Sequence, residues 1–211
     1  MNVWIVARSH HQGSAYVHGL TEEYQNIRLL QPNGSFPSAR TSTFAVGQMW
    51  DLAFTPAHRS FPNGEDVLIT RWKQLDPEPH LQACLSQRVI PWQGGPDQLF
   101  AGHVKSIMNK KKAFISERHS LPSMSMGYWL PNAPFLKWHD DQGRLCYRYC
   151  KAEQELLIEY NTFAEQIVTL HEQTLIHVAL SPWWTPSNAL ARDAEVDPFR
   201  LCQKRWKKAS R

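Results

Sequence analysis

Apolar and polar residues alternate in several short stretches of the chain, which is the pattern of β-strands that bury one face. Around position 50 the apolar residues are Trp50, Leu52 and Phe54, separated by Asp51 and Ala53. Similar strand signals occur at residues 3–8, 16–20, 26–30 and 67–73. Gln31-Pro32-Asn33-Gly34 predicts a turn, because proline restricts φ and Asn-Gly accepts a positive φ. The first third of the chain therefore predicts a small β module.

The alternating pattern around Trp50 recurs near the other end of the chain. Residues 48–56 align with residues 174–182, and both stretches end in a hydroxyl residue followed by proline. Two further landmarks also occur twice, a Pro-Asn pair followed by Phe at residues 32–36 and 131–135, and Arg-Trp-Lys at residues 71–73 and 205–207. The three landmarks keep their order but have unequal gaps, which a fixed-period solenoid would not show. We therefore predict two tandem β-rich modules.

Prolines at Asp76-Pro77-Glu78-Pro79 predict a boundary after the first module. We expect a first barrel over residues 1–76, a helical connector over residues 77–112 and a second barrel with a basic tail over residues 113–211. Residues 81–90 and 97–108 predict short helices in the connector. In the second module, residues 144–150 predict a strand with Leu145, Tyr147 and Tyr149 towards the core, and the apolar spacing of residues 153–171 predicts a helix.

Modules of about five strands favour small closed barrels. The predicted fold class is mainly β with minor α, namely two tandem OB-like small β-barrels joined by a short helical connector. An SH3-like barrel fits the same strand pattern. Closure of the barrels would remove the edge strands that otherwise invite aggregation.

Composition changes this picture little. Hydrophobic residues make up 42% of the 211, enough for a buried core, and no apolar run approaches the ~20 residues that span a bilayer. The first residues read as a strand without the pattern of a signal peptide, so we expect a cytoplasmic protein. The four cysteines are scattered and predict ordinary packing rather than a disulfide framework.

The chain contains none of the common catalytic or nucleotide-binding motifs, so we expect no enzyme, no cofactor and no metal centre. His139-Asp140-Asp141 has side chains that can bind a metal ion. A tight turn is the more frequent role of such an Asp-rich tripeptide, and we favour it here.

Positive charge lies beside aromatic residues, which favours nucleic acid as a partner. OB folds hold single strands by stacking bases on exposed rings while Lys and Arg follow the phosphates. The formal net charge is +4 and the chain has nine tryptophans. The predicted nucleic-acid-binding residues are Arg28, Arg71, Trp72, Lys73, Lys110, Lys111, Lys112, Arg144, Arg148, Trp183, Trp184, Lys204, Arg205, Trp206, Lys207 and Lys208.

Several short motifs, in their order, resemble the dual OB-containing domain family of bacteria and archaea, from near Met1 to about Trp206. They lie at residues 26–34, 46–50, 92–102, 127–129, 144–149 and 174–184. The resemblance implies two OB folds, a nucleic-acid-binding role and a place beside genes of phage defence, and it implies no catalytic residues. The basic stretch from Gln203 to Lys208 departs from the family, whose last strand tends to be apolar and uncharged.

Two other functions fit the same residues. The aromatic surface could dock a partner protein in a complex, or a pocket between the modules could sense a nucleotide. Salt separates the first of these from nucleic-acid binding, because phosphate contacts weaken steeply with ionic strength. Saturable thermal stabilisation by a small ligand would indicate the second.

Overall fold

The structure is a computed structural model that describes residues 1–11, 13–59, 62–107, 112–116, 120–140, 143–152, 154–160, 167–184 and 201–208. The first five strands form a closed barrel. They are β1 (Asn2–His11), β2 (Ser14–Thr21), β3 (Asn26–Leu30), β4 (Met49–Pro56) and β5 (Asp66–Gln74). Their order around the barrel is β1-β2-β3-β5-β4, and β3 runs parallel to β5. This is a five-stranded barrel of the OB type.

Alternation places one face of each strand in the core of the first barrel. Val3, Ile5, Val17, Leu29 and Leu52 are all buried there. The predicted turn after β3 is present, with Gly34 at a φ of 78° and its N–H donating to the Gln31 carbonyl at 2.9 Å.

Within the described residues, one α-helix and ten further strands follow. The helix α1 (Leu81–Arg88) confirms the first predicted helix and buries Leu81 and Leu85, which lie one turn apart. The strands are β6 (Trp92–Gly94), β7 (Lys105–Ile107), β8 (Lys112–Ser116), β9 (Met126–Pro131), β10 (Phe135–His139), β11 (Leu145–Lys151), β12 (Gln154–Tyr160), β13 (Thr169–Leu170), β14 (Ile176–Trp184) and β15 (Leu201–Lys208). No described helix is long and apolar enough to cross a bilayer.

The second barrel repeats the strand order of the first. Its strands run β10-β11-β12-β15-β14, and β12 is parallel to β15 just as β3 is parallel to β5. The strands β9 and β10 are two halves of one interrupted strand, since β9 pairs with β14 and β10 pairs with β11. β1 makes the same two pairings without an interruption, with β4 at its start and with β2 along its length. The predicted pair of OB-like barrels is therefore confirmed.

The two Arg-Trp-Lys tripeptides occupy equivalent positions in the two barrels. Trp72 on β5 pairs with Leu52 on β4, and Trp206 on β15 pairs with Val178 on β14. In the alignment of residues 48–56 with 174–182, Leu52 corresponds to Val178, so the register is the same in both barrels. Two of the three repeated landmarks thus mark the fourth and fifth strands of each barrel.

The prediction that the Pro-Asn pair marks the same position in both modules was wrong, because its two copies lie in different parts of the barrel. Pro32-Asn33 follows β3, the third strand of its barrel, whereas Pro131-Asn132 interrupts the first strand of the second barrel. The two segments share these residues because proline and asparagine are frequent in turns where a strand ends.

Two predicted helices also differ from the structure. The stretch 153–171 contains the strand β12, in which Leu156 and Ile158 alternate into the core, and residues 161–166 lie outside the described residues. Pairing with β11 decided this element, since Leu156, Leu157 and Tyr160 have helical spacing whereas Leu156, Ile158 and Tyr160 have the alternating spacing of a strand. The stretch 97–108 contains most of a 3-10 segment over Pro96–Gly102, interrupted by positive φ at Phe100 and Ala101, and the strand β7, while residue 108 lies outside the described residues.

The barrels pack against each other through their outer faces. Trp4 and Leu20 of the first barrel share an apolar cluster with Tyr128 and Leu175 of the second, and α1 contributes to the same cluster. Burial raises the pKa of the Tyr128 hydroxyl, which keeps this group neutral.

A polar clamp accompanies the apolar contact between the barrels. The carboxylate of Glu65 accepts hydrogen bonds from the Ser125 backbone N–H at 2.5 Å and from the Ser125 hydroxyl at 2.7 Å. Glu65 immediately precedes β5, and Ser125 immediately precedes β9, so the clamp joins the entrance of a strand in each barrel.

Candidate nucleic-acid interface

OB folds bind oligonucleotides on the outer face of strands two and three, beside the loops that follow strands one and four. In the first barrel this face is covered. The outward side chains of β2, which are Tyr16, His18 and Leu20, are all at most 8% exposed. The His18 ring lies 5.0 Å from the ring of His177 on β14, so the second barrel occupies the place where a strand would bind.

Arg28 on β3 belongs to the covered face, and its predicted phosphate contact does not fit the structure. The residue is 1% exposed. Its Nε donates to Asp66 Oδ1 at 2.5 Å, and its Nη2 donates to Asn63 Oδ1 at 2.6 Å and to the Pro62 carbonyl at 3.2 Å. Burial raises the pKa of the Asp66 carboxyl, while Arg28 and Arg59 oppose that shift. Arg28 is therefore a structural cation that joins β3 to the start of β5 and to the segment before it.

The corresponding face of the second barrel is partly exposed. Its outward side chains come from β10, β11 and β12, and we call this surface the open face: Leu136, Trp138, Cys146, Arg148 and Leu157. Leu136 and Trp138 are exposed, Arg148 and Leu157 are half-buried, and Cys146 is buried. The inward side chains of β11 are Tyr147 and Tyr149, as predicted from the alternation of this strand.

An aromatic ring and a guanidinium group form the centre of the open face. Trp138 is 43% exposed, and the Arg148 guanidinium lies 4.9 Å from the centre of its ring. Arg148 also pairs with Glu155 at 2.5 Å. The guanidinium lies over one face of the ring, so a nucleobase can stack on the guanidinium plane or on the other face of the ring.

Arg144 lies in the turn between β10 and β11, beside the open face. Its guanidinium pairs with Asp140 at 2.6 Å and is about half exposed. The backbone of the same turn closes through hydrogen bonds from Gly143 N–H to the Asp140 carbonyl at 2.8 Å and from Asp140 N–H to the Arg144 carbonyl at 3.0 Å. The turn that the sequence predicted at Asp140 is therefore confirmed, while Asp141 lies outside the described residues.

The other predicted residues of the first barrel lie on β5, away from the open face. Trp72 is 52% exposed and lies on the same strand face as Leu52, whereas its exposed neighbours Arg71 and Lys73 alternate to the other face. Arg71 lies 3.9 Å from Asp51. The chain's N-terminal ammonium group, hydrogen-bonded to Asp51, is the main cause of the lowered pKa of that carboxyl, and Arg71 and Lys73 add to it.

A groove of about 370 Å³ lies beside Trp72 at the mouth of the first barrel. One wall is β5, and the other is the segment between β3 and β4. The lining residues are Gln31, Pro32, Pro37, Ser38, Thr41, Ser42, Thr43, Phe44, Ile69 and Trp72.

The remaining predicted residues are described only in part. Lys110 and Lys111 lie outside the described residues, and Lys112 is placed at the start of β8. Trp183 and Trp184 end β14, where the register with β15 shifts after Leu180. The backbone of β15 carries Lys204, Arg205, Trp206, Lys207 and Lys208, and it pairs with β12 next to the open face.

Sequence reasoning missed Trp138. The sequence pattern contained the signal, because Phe135 and Lys137 alternate with Leu136 and Trp138, so apolar side chains lie on both faces of this strand. Only one of the two faces can point into the barrel core, and the apolar residues of the other face are candidates for an exposed surface. Only the tertiary structure shows that Phe135 is the buried side and that Trp138 is exposed.

Comparisons with known proteins identify the family. The comparison with curated proteins found no match. One solved structure, described as "Structure of murine DNA binding protein bound with ds DNA", aligns over 100% of this chain and 96% of its own, at 8% identity and a TM-score of 0.27. So loose a superposition carries no argument about function. The sequence model of the dual OB-containing domain matches residues 1–196. The chain belongs to the dual OB-containing domain family.

Proposed function

We propose that this chain binds single-stranded nucleic acid, DNA or RNA, on the open face of the second barrel. The observation that supports this most is the half-exposed Trp138 ring with the Arg148 guanidinium 4.9 Å from its centre. It lies on the strand face that OB folds use for oligonucleotides. A base stacked on Trp138 would contribute about 1–3 kcal/mol.

Cations around the open face suit the phosphates of the bound strand. Arg148 lies on the face itself and Arg144 in the turn beside it, with its guanidinium about half exposed. The strand β15, with its five cationic or aromatic residues between positions 204 and 208, is the neighbour of β12 in the sheet. A nucleic-acid strand that crosses β10, β11 and β12 would therefore contact the Trp138 ring first and the basic β-strand β15 next.

The proposal extends to the role in the cell. We infer a non-enzymatic accessory component of a bacterial defence or DNA-processing system that acts in the cytoplasm, as the sequence analysis expected. Family membership supports the nucleic-acid part of this role. OB folds also serve other ligands, so the partner must be established by measurement.

A second candidate function is protein docking on the same open face. Leu136, at 49% exposed, adds apolar surface next to Trp138, and the ion pair of Arg148 with Glu155 offsets part of the positive charge. In that case the chain would be an interaction subunit of a complex, and its binding would change little with salt.

The test is the fluorescence anisotropy of labelled single-stranded and duplex DNA and RNA at low and moderate salt. We expect single strands to bind, with an affinity that falls steeply as salt rises. Trp138→Ala should weaken binding by roughly 5- to 150-fold, the equivalent of one stacked base. Tyr24→Ala is the control, because Tyr24 is an exposed aromatic residue of the first barrel that lies in neither the open face nor the groove beside Trp72.

Two results would count against the proposal. Absence of binding to every oligonucleotide at low salt would reject nucleic acid as the partner and favour protein docking. Binding that Trp138→Ala leaves unchanged would reject the open face as the site.

A further inference from the structure

We propose that the groove at the mouth of the first barrel binds one nucleotide as a free nucleoside monophosphate. The groove is separate from the open face, since β5 and the β3–β4 segment form it while β10, β11 and β12 form the open face. The site therefore does not depend on strand binding by the second barrel.

The lining of the groove suits a flat, neutral, polar ring. Trp72 supplies a half-exposed aromatic wall, and Phe44 and Ile69 supply an apolar floor that belongs to the barrel core. Around them are the amide of Gln31 and the side-chain hydroxyls of residues 38, 41, 42 and 43. Among the described lining residues none is charged. Stacking on one face with hydrogen-bond donors and acceptors at the edge is how proteins hold a nucleobase.

Charge at the rim suits an attached phosphate. Arg40 is exposed and lies in the lining segment between Ser38 and Thr41. Arg71 and Lys73 also flank Trp72 in sequence but lie on the other face of β5, so Arg40 is the cation that we assign to the phosphate. A neutral interior with an arginine in the segment that lines it complements a ligand that has a neutral ring and an anionic end.

The groove is preformed, because backbone hydrogen bonds hold the β3–β4 segment against the barrel. Ala15 N–H donates to the Pro37 carbonyl at 2.7 Å, and Ala39 N–H donates to the Gly13 carbonyl at 2.9 Å. Within the segment, Ser42 N–H donates to the Ser38 carbonyl at 3.0 Å. A preformed site loses little free energy to ordering when a ligand binds.

The size of the groove and its single exposed ring point to one nucleotide rather than a strand. A volume of about 370 Å³ lies at the lower end of the range for small-molecule sites. Trp72 is half exposed, whereas Phe44, the other aromatic residue of the lining, is 7% exposed and forms part of the floor. The groove therefore offers a stacking surface for one base.

The experiment is a thermal-shift titration of the full chain with AMP, GMP, CMP and UMP. We expect at least one of them to raise Tm saturably, by about 5–10 °C at a hundredfold excess over Kd. Trp72→Ala should weaken that nucleotide by about tenfold or more, whereas Trp72→Phe should retain most of the affinity because the ring remains. Trp138→Ala should leave nucleotide binding unchanged.

A second comparison tests the phosphate contact. The monophosphate should bind more tightly than its uncharged nucleoside, and Arg40→Ala should reduce that difference. The melting temperature of each variant without ligand shows whether it folds.

Several results would overturn the assignment. They are the absence of a shift with all four nucleotides, a shift that Trp72→Ala leaves intact, and stabilisation by a proline-rich peptide but by no nucleotide. Strand binding lost through Trp138→Ala and nucleotide binding lost through Trp72→Ala are separate readouts. Failure of one proposal therefore does not imply failure of the other.

Discussion

Removal of the Arg28 side chain tests whether this residue holds the first barrel together. Arg28→Met keeps much of the length of the side chain but leaves Asp66, whose side chain is fully buried, with Arg59 at 3.3 Å as its remaining cationic partner. Loss of one member of a buried ion pair costs about 3–5 kcal/mol of folding free energy. For a chain of this length each kcal/mol lowers Tm by about 2–4 °C. We therefore expect Tm to fall by roughly 6–20 °C.

The control is Arg71→Ala, which removes an arginine of the same predicted set from an exposed position. Arg71 is 73% exposed and lies 3.9 Å from Asp51, so its ion pair contributes at most about 1 kcal/mol. Urea unfolding followed by tryptophan fluorescence would measure both variants. A loss below about 1 kcal/mol for Arg28→Met would refute the structural role that we assign to Arg28.

The penalty of Arg28→Met should also depend on pH. Without Arg28, burial raises the pKa of Asp66 further, because one of the two cations that oppose the shift is gone. A carboxyl whose pKa is raised in the folded state destabilises the fold increasingly as pH rises above its unfolded value near ~3.9. The variant should therefore lose more stability at pH 7 than at pH 5. Addition of Asp66→Asn should remove this pH dependence and recover about 0.5–3 kcal/mol relative to the sum of the single changes.

Two further predictions concern the packing of the second barrel and the polar clamp between the two barrels. Gly127→Ala would place a Cβ atom 2.5 Å from the Trp92 ring, so we expect a loss of about 1–3 kcal/mol in urea unfolding. Gly64→Ala, where the nearest atom is 4.0 Å away, should change stability far less, and equal effects would contradict the contact with Trp92. Glu65→Gln should loosen the two barrels, because hydrogen bonds to a charged acceptor contribute about 1.5–3 kcal/mol. Ser125→Ala keeps the backbone donor and should therefore lower stability less than Glu65→Gln. Faster amide hydrogen exchange around residues 65 and 125 would show that the effect lies at the clamp. Unchanged exchange in Glu65→Gln would argue against the clamp.

Local pattern was sufficient to predict the duplicated architecture. Apolar and polar side chains must alternate along a strand that buries one face, and the fourth and fifth strands of each barrel must pair. The same register is therefore preserved in both barrels, between residues 48–56 and the first Arg-Trp-Lys and between residues 174–182 and the second. Where a pattern fits two periods, as between positions 153 and 171, the sequence alone could not decide, because pairing with β11 made the stretch around Leu156 a strand.

The site depended on contacts that local pattern does not contain. Arg28 and Arg148 both lie on outward faces of alternating strands, and sequence reasoning therefore treated them alike. Residues 62–66 and Phe36 of its own barrel surround Arg28, and the second barrel covers His18 on the neighbouring strand, while Trp138 beside Arg148 stays exposed. The sequence by itself determined which residues point out of each barrel. Only the tertiary structure decided which outward face meets solvent, because that depends on how the loops of a barrel and the neighbouring barrel cover each face.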